Sequence, residues 1–242
     1  MARHEFALFV SQQFAQGAIV TINDPDSLRR LTSVVRLREG ESVQLFNHEE
    51  SIRGTVTVIT KKQIDLEVHE RVQLRPLEPA VTVILPTLKK DDFEEALSRL
   101  CALGVTTIQL VETEKVQRSW QFERERDRFE RVMIAAAEQS KQLVLPDLLA
   151  PISLEDALKK VQALPYKIFF DPDGEKLTTV IDRLVTTAGA TVLFVGPEGD
   201  LTDQEKDLLT HNSFVFCALT PSILRACEAI ALGAGIVRSI MR

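Results

Sequence analysis

The chain has 242 residues, 45% of them hydrophobic, which is enough for one large domain or two ordinary ones with packed cores. Its formal net charge of -6 gives no bulk basic signal, so nucleic-acid binding would have to rest on a local patch. Three separated cysteines, no signal-peptide pattern and no run of roughly 20 apolar residues argue against a disulfide framework and a membrane protein, and favour a cytoplasmic one.

Up to about residue 75, the sequence predicts short strands separated by turns: FALFV, SVQLFN, IRGTVTVIT and QIDLEVHERVQL. Alternation in the third strand puts Val56 and Val58 on one face and Ile59 on the other. Because closing a small antiparallel sheet removes its edges, these strands predict a small β-barrel. Between the first two, DPDSLRRLTSVVRLREGE has apolar residues at helical spacing and predicts a helix that stops at Gly40.

The first 75 residues also concentrate a group of arginines. They contain ten basic and ten acidic residues, so the remaining 19 basic and 25 acidic residues carry the whole net charge. Four arginines lie within ten residues of one another: Arg29, Arg30, Arg36 and Arg38. Arginine suits bidentate phosphate contacts, so this segment is a candidate RNA-facing surface. The alternative is a solvated face balanced by Glu39 and Glu41.

RPLEP, residues 75–79, predicts a linker because its prolines interrupt regular structure, and it divides the chain into domains 1–74 and 75–242. The second domain alternates apolar strands with amphipathic helices. The predicted strands are VTVILP, VTTIQLVET, YKIFFD, TVLFVG and SFVFCAL. The predicted helices are DDFEEALSRLCALG, FERERDRFERVMIAAAEQS, SLEDALKKVQAL, EKLTTVIDRLVTTAG, TDQEKDLLT and SILRACEAIALGAGIVRSIM. This pattern predicts an α/β fold with a parallel sheet, whose ligands bind beyond the carboxyl ends of the strands.

Three strand ends are candidates for such a pocket: FFDPDGE at 169–175, FVGPEGD at 194–200 and ALTPSILRACEA at 218–229. Gly196 and Gly199 would allow a close backbone approach or a positive φ, and Pro197 would stiffen the turn. The alternative is that GPEG only reverses the chain, with Thr202 capping the next helix. DPDG has the same alternative, since Asp-Pro and Asp-Gly are ordinary turn formers.

The last helix carries two further features. Arg225 is predicted one turn inside it, where a cation opposes the helix dipole, so either an anionic ligand or a structural or solvent partner is expected. An apolar stripe predicts the buried face of a core helix: Ile223, Cys227, Ile230, Ala234 and Val237. The sequence has no Rossmann, Walker, zincin or nucleophile-elbow motif.

Several segments together resemble one family. LRRLTSVVRLREGESVQLFN resembles the amino-terminal PUA-like barrel of RsmE-type ribosomal RNA (uridine-N3) methyltransferases, which belong to the SPOUT, or α/β-knot, class. LKKDDFEEALSRLCALGVTTIQLVETEK, AAAEQSKQLVLPDL, LFVGPEGDLTDQE and LTPSILRACEA resemble the segments of its catalytic domain in the same order. The resemblance therefore covers nearly the whole chain.

The resemblance implies a carboxyl-terminal trefoil-knot domain after a PUA-like RNA-binding barrel, and a cytoplasmic homodimer. It implies metal-free N3 methylation of a uridine near the decoding centre in 16S ribosomal RNA of the small ribosomal subunit. S-adenosyl-L-methionine (SAM) would be bound by Phe170, Asp171, Val195, Gly196, Gly199, Leu219, Ser222 and Leu224. Arg225 is the candidate catalytic cation, which would stabilise the developing uridine anion. The candidate RNA-binding residues are Arg3, Arg29, Arg30, Arg36 and Arg38.

The chain departs from the family pattern at four positions: Asp200, Thr220, Ala226 and Cys227. Asp200 stands where the family usually has a second glycine, and aspartate tolerates a left-handed backbone well enough to keep the loop shape. Cys227 replaces a family glutamate. Two alternative functions remain: a knotted methyltransferase acting on another RNA, and a ribosome-binding relative that has lost catalysis.

Overall fold

The computed structural model describes residues 7–115, 121–185 and 189–241, apart from the side chains of 183–185. Contacts divide the chain into two compact units. Unit 1 comprises Met1–Arg75 and Ala137–Val144, and unit 2 comprises Pro76–Ala136 and Leu145–Arg242. The sequence does not predict that Ala137–Val144 belongs to unit 1. None of the described helices combines the length and apolar character needed to cross a membrane.

Unit 1 is built on a five-stranded sheet. Its strands are β1 (Ala7–Phe9), β2 (Ile19–Ile22), β3 (Ser42–Phe46), β4 (Glu50–Ile59) and β5 (Ile64–Gln73). Their order is β1-β3-β4-β5-β2, and β1 pairs with β3 in parallel while the other neighbours are antiparallel. The purely antiparallel arrangement predicted is therefore wrong, and β2 is a strand that the sequence does not predict. Within the described residues no ladder joins β1 to β2, so the closed PUA-like barrel stays a prediction.

A β-bulge near the end of β4 changes which side chains enter the core of unit 1. The register against β5 shifts between Val56 and Val58. Val56 is buried, but Val58 is 38% exposed, while Ile59 packs against the buried cluster. The predicted alternation is wrong beyond Val56 because the extra residue reverses the inward and outward sides of the strand.

The predicted helix of unit 1 is shorter than expected. Asp24 caps α1 (Pro25–Arg29) by accepting from the Ser27 N–H, and a π-helical turn follows at Arg30–Val35. That turn ends at Arg36, whose φ of 60° is left-handed. The predicted stop at Gly40 is wrong, because the left-handed residue at Arg36 already ends the helical hydrogen bonding.

Unit 2 contains a six-stranded sheet and six helices within the described residues. The strands are β6 (Val81–Pro86), β7 (Thr107–Glu112), β8 (Asp147–Ser153), β9 (Tyr166–Lys176), β10 (Thr191–Val195) and β11 (Val215–Ala218). The helices are α2 (Lys90–Ala102), α3 (Phe122–Ser140), α4 (Leu154–Lys160), α5 (Leu177–Val185), α6 (Asp203–His211) and α7 (Ala226–Ile240). The last turn of α3 falls in unit 1.

The sheet of unit 2 has the order β11-β9-β10-β6-β7-β8, and every neighbouring pair is parallel. The predicted parallel α/β sheet is confirmed, although β8 is not among the predicted strands. Its centre is apolar: β10 is buried throughout, and Phe169 of β9 packs against Phe194 and Phe216. This core fixes the carboxyl ends of β9, β10 and β11 beside one another. The trefoil knot stays a prediction.

Candidate functional site

A pocket of about 400 Å³ lies at the carboxyl ends of β9, β10 and β11 in unit 2. The three loops selected from the sequence supply its walls. Seven of the eight predicted cofactor-binding residues line it: Phe170, Asp171, Val195, Gly196, Leu219, Ser222 and Leu224. Gly199 is not among the lining residues and lies beside Lys115. Whether these residues bind a cofactor stays a prediction.

The FFDPDGE segment is an excursion within β9 rather than the strand-to-helix loop that the sequence predicts. Phe169 is opposite Phe216, but the next residue of β11, Cys217, is opposite Glu175. Asp171 to Gly174 therefore leave the ladder, and Asp171, Pro172 and Asp173 line the pocket before β9 resumes. A Cβ on Gly174 would lie 2.5 Å from the Cys217 nitrogen, so only glycine permits this close approach of the two strands.

The GPEGD segment has one left-handed residue, and it is Asp200 with a φ of 58°. Neither Gly196 nor Gly199 has a φ in the left-handed range, so the positive φ considered for them is not found. The Asp200 carboxylate also accepts a 2.7 Å hydrogen bond from the Leu201 N–H. Aspartate therefore keeps the left-handed turn where the related family usually has glycine, as predicted.

Thr202 and Glu205 form a capping box at the start of α6, which confirms the predicted cap. Glu205 is buried, and its other carboxylate oxygen accepts from the Glu114 N–H at 2.9 Å. Lys115 donates to the Leu201 carbonyl at 2.9 Å. These bonds fasten the loop after β10 to the loop after β7, so the pocket wall is held from outside as well as by its own turn.

Lys206 joins two walls of the pocket. Its ammonium lies 2.9 Å from a carboxylate oxygen of Asp171 and 2.9 Å from one of Asp200. Asp171 is buried, and its second oxygen accepts from the Asp173 N–H. Burial disfavours the charged lysine, but the hydrogen bonds to the two carboxylates outweigh burial and raise the pKa of Lys206. Lys206 is not among the site residues predicted from the sequence, where it is marked only by its position early in the helix after GPEGD.

The pocket has an acidic lining. Its charged residues are Asp171, Asp173, Glu198, Asp200 and Lys206, four carboxylates against one ammonium. Apolar side chains such as Phe170, Val195 and Leu224 complete the walls. The pocket therefore combines an apolar surface with an electrostatic preference for a cationic ligand.

Arg225 lies at the N-cap of α7, not one turn inside it, because the helix begins at Ala226. Its guanidinium pairs with Asp92 at 2.7 Å and Glu228 at 3.0 Å. The hydrogen bond to Glu228 raises the pKa of Arg225, which therefore stays cationic. Leu224 and Ala226 line the pocket, but Arg225 is not among the lining residues. Of the partners considered for Arg225, the structure shows carboxylates of the protein itself.

Cys227, Asp92 and Glu95 bring their potential ligand atoms within 4.8 Å of one another. The Cys227 thiol donates to Asp92 at 3.5 Å. Burial, followed by this hydrogen bond, raises the pKa of the thiol to about 11, so it stays protonated at neutral pH. Because Asp92 also accepts from Arg225, the group is a hydrogen-bonded cluster that supports the start of α7.

The predicted stripe on the last helix is buried except at its first residue. Ile223 precedes α7 and is 84% exposed, so placing it in the core face is wrong. Gly233 has a more specific role: a Cβ there would lie 2.1 Å from the Phe170 ring. The absence of a side chain at Gly233 lets Phe170 occupy its place in the pocket wall.

The structure separates the arginines predicted to contact RNA. Arg30 pairs with Glu138, so its charge is already neutralised within unit 1. Arg29, Arg36 and Arg38 are exposed. Arg3 lies outside the described residues. Contact of these residues with RNA stays a prediction.

Comparison with known proteins identifies the family of the chain. A family model described as an RNA methyltransferase domain matches residues 75–238. The chain is 25% identical over 224 residues to the ribosomal RNA small subunit methyltransferase E of Rickettsia conorii, covering 90% of this chain and 89% of that protein.

Two solved structures share the fold over 98% of each chain. One is a ribosomal RNA small subunit methyltransferase E from Neisseria gonorrhoeae bound to S-adenosyl methionine, with 25% identity and a TM-score of 0.81. The other is Lpg2936 from Legionella pneumophila in complex with SAM, with 20% identity and a TM-score of 0.82. The resemblance to RsmE-type proteins is confirmed. Because the family model matches more than half of the residues of the chain, the chain belongs to the RNA methyltransferase domain family.

Proposed function

We propose that the chain transfers a methyl group from SAM to N3 of a uridine in 16S ribosomal RNA near the decoding centre, as a cytoplasmic homodimer. The observation that carries this proposal is the pocket at the ends of β9, β10 and β11, which contains seven residues selected by the resemblance. The similarity to the SAM-bound methyltransferase of Neisseria gonorrhoeae supports the choice of cofactor and RNA. Unit 1 would contribute to RNA binding.

The residues of the pocket fit this cofactor. A volume of about 400 Å³ lies in the range of small-molecule sites. Phe170, Val195 and Leu219 would hold the apolar part of SAM, while Gly196 would offer backbone groups to its polar edge. The acidic lining, with Asp171 and Asp200, complements the cationic sulfonium and ammonium groups. When bound, SAM supplies an electrophilic methyl group, so no metal is required for the reaction.

The protein would contribute mainly position and charge. Methyl transfer needs an in-line approach of a deprotonated uracil N3, and holding both reactants in that geometry removes much of the entropic barrier. Arg225 adjoins the pocket between Leu224 and Ala226 and stays cationic. We propose that it stabilises the uridine anion, exchanging part of its contact with Asp92 for the substrate.

Replacement of Arg225 tests the catalytic proposal. R225A should lower turnover about 100-fold with SAM affinity nearly unchanged, because the lost interaction belongs to the reacting base. R225K should recover part of this loss. Full turnover of R225A on 16S ribosomal RNA would remove Arg225 from the mechanism.

The proposed reaction itself is tested by incubating the protein with SAM and either 16S ribosomal RNA or small ribosomal subunits, followed by mass spectrometry of the digested nucleosides. The expected product is 3-methyluridine, and it should be missing from the small-subunit RNA of cells that lack the protein. Methylation of another RNA only would support the first alternative function. Absence of SAM binding in calorimetry would support the catalytically inactive ribosome-binding relative.

A further inference from the structure

Unit 1 contains an open groove between α1 and the turn that joins β4 to β5. It has a volume of about 840 Å³ and is lined by Asn23, Pro25, Leu28, Arg29, Thr32, Ile59, Thr60, Lys61 and Lys62. Three of these residues are cations, and none is a carboxylate. Arg29 lies on the α1 side, while Lys61 and Lys62 lie on the turn, so positive charge stands on both walls.

The three cations have no acidic partner among the described residues. Within the part of the chain that the structure describes, Arg29, Lys61 and Lys62 form no ion pair. Arg30, Arg53 and Arg71 of the same unit pair with Glu138, Glu70 and Glu50, respectively. The groove therefore collects cations that remain available for an external anion.

Three carboxylates close to the groove in sequence accept structural hydrogen bonds. Asp65 accepts from Thr21 and from Gln63. Glu39 accepts from the Ile59 N–H. Asp24 caps α1 through the Ser27 N–H. These contacts fix the three carboxylates in place. Asp26, three residues before Arg29, is exposed, and like the other three it is not among the residues that line the groove.

The turn that carries the two lysines is held by its own hydrogen bonds. The Thr60 hydroxyl accepts from the Lys62 N–H at 3.2 Å and from the Gln63 N–H at 3.0 Å. The Thr60 N–H donates to the Gln63 carbonyl at 2.9 Å. Lys61 and Lys62 therefore project from a fixed turn, which lowers the entropic cost of using both together.

We infer that this groove binds the phosphate backbone of RNA through Arg29, Lys61 and Lys62. The inference rests on the proposed function for the identity of the RNA, since an RNA methyltransferase must hold a polyanion. Charge on both walls suits a strand that runs along the groove. None of the described residues that line the groove is aromatic, so none offers a ring on which a base could stack. The groove should therefore position RNA without reading its sequence, and it shares only Arg29 with the arginine cluster predicted from the sequence.

The test compares K61Q/K62Q with K159Q/K167Q, a control that removes two lysines from unit 2, of which Lys159 is exposed and Lys167 is half-buried. Lys159 pairs with Asp156, and Lys167 donates to the Gln162 carbonyl. Two labelled RNA hairpins of equal length serve as probes, one with a small-subunit rRNA sequence and one with that sequence shuffled. Binding is measured by fluorescence anisotropy between about 50 and about 200 mM salt.

K61Q/K62Q should weaken binding of both hairpins equally, and each lost phosphate contact should reduce the slope of log affinity against log salt by about 0.7 to 0.9. R29Q, on the opposite wall, should reduce it by one such step, and K159Q/K167Q should not change it. SAM affinity should remain that of the wild type in every variant. If K61Q/K62Q misfolds and therefore loses SAM binding, the salt slope of R29Q alone decides whether the groove binds RNA.

Groove variants that bind both hairpins like the control would overturn the inference. A loss confined to the rRNA sequence would also overturn it, because the groove would then read bases. Failure of the wild type to methylate 16S ribosomal RNA would instead overturn the proposed function. The hairpin measurements do not depend on methylation, so the two failures are distinguishable.

Discussion

The two units present depressions of opposite charge. Among the described lining residues, the groove of unit 1 has Arg29, Lys61 and Lys62 and no carboxylate, whereas the pocket of unit 2 has four carboxylates and one ammonium, that of Lys206. Neither follows from the net charge of the chain, which is -6 overall and zero over residues 1–75. The local grouping of charges, rather than their sum, determines which ligand each surface attracts.

The charges of the two regions also differ in how they are held. Those of the groove are exposed and have no described partner, so salt should screen them strongly. In the pocket, Asp171 is buried and bonded to Lys206, which also contacts Asp200. RNA binding should therefore depend on salt much more than cofactor binding does. Substitutions that alter the shape or charge of the pocket should therefore leave RNA binding at the groove intact.

The largest effect on SAM affinity is expected from filling the pocket wall without changing its charge. In G233A the new Cβ would lie 2.1 Å from the Phe170 ring and displace it from the wall. Such overpacking costs about 1–3 kcal/mol of stability. SAM affinity should fall at least about tenfold, which corresponds to about 1.4 kcal/mol. Calorimetry and urea unfolding measure the two effects.

G235A is the matched control, since its Cβ would lie 3.7 Å from Leu103, an ordinary contact. Replacing a helical glycine with alanine should stabilise α7 by up to about 1 kcal/mol. RNA binding at the groove should be normal in both variants. Equal SAM affinity in G233A and G235A would show that the Phe170 wall is not part of the cofactor site.

Removing Lys206, the one ammonium among the described lining residues of the pocket, should affect both stability and ligand preference. K206M leaves the buried Asp171 with the Asp173 N–H as its described hydrogen-bond donor. One oxygen of Asp171 then has no described donor, and an unsatisfied buried polar atom costs about 1–3 kcal/mol, more where it is charged. With the lining one charge more negative, the ratio of SAM affinity to that of the neutral product S-adenosylhomocysteine should rise. A lower ratio would contradict the electrostatic reading of the pocket.

The Lys206 contacts also predict a dependence of stability on pH. The pKa of Lys206 is raised from 10.5 in the folded protein, because its hydrogen bonds to Asp171 and Asp200 outweigh burial. The stability from these contacts is thus fully present below about pH 10.5 and lost as pH rises through the raised pKa. The difference in unfolding free energy between wild type and K206M should shrink above that pH. Urea unfolding of both proteins would show it, and a constant difference would contradict it.

Much of unit 2 is predictable because local patterns and tertiary structure agree there. The fully buried β10 and the Thr202 to Glu205 capping box both follow from short-range sequence rules. The three loops of the pocket follow from the same parallel sheet. The excursion within β9 does not, because it depends on pairing with β11, a partner distant in sequence.

The residues missed by the sequence reading depend on tertiary contacts. Gly233 and Phe170 are far apart in the chain, so no local pattern indicates that the Phe170 ring needs a residue without a Cβ at position 233. The prediction that Arg225 lies one turn inside the helix is wrong because α7 begins at Ala226. Helix ends are the least certain part of a sequence pattern. Lys61 and Lys62 lie in one groove with Arg29 only because the chain folds, whereas the sequence places Arg29 in a cluster with Arg30, Arg36 and Arg38.

The smallest effect is expected from removing one exposed carboxylate of the pocket. Asparagine also tolerates a left-handed backbone, and its carbonyl can accept from the Leu201 N–H, so D200N should keep the turn while losing the charge. Asp200 is 59% exposed in its side chain, which limits its contribution. The ratio of SAM to S-adenosylhomocysteine affinity should fall about two- to fivefold, equivalent to about 0.5–1 kcal/mol.

D156N is the control for D200N, because Asp156 is an exposed carboxylate that does not line the pocket. It should leave the ratio unchanged, and neither variant should alter RNA binding at the groove. The deficit of D200N should also shrink as salt is added, since an exposed charge is screened. Opposite changes of the ratio in D200N and K206M would separate electrostatic preference from a change of shape, because a distorted pocket should weaken binding of both ligands. Weaker binding of both ligands at an unchanged ratio would instead assign the effect to shape.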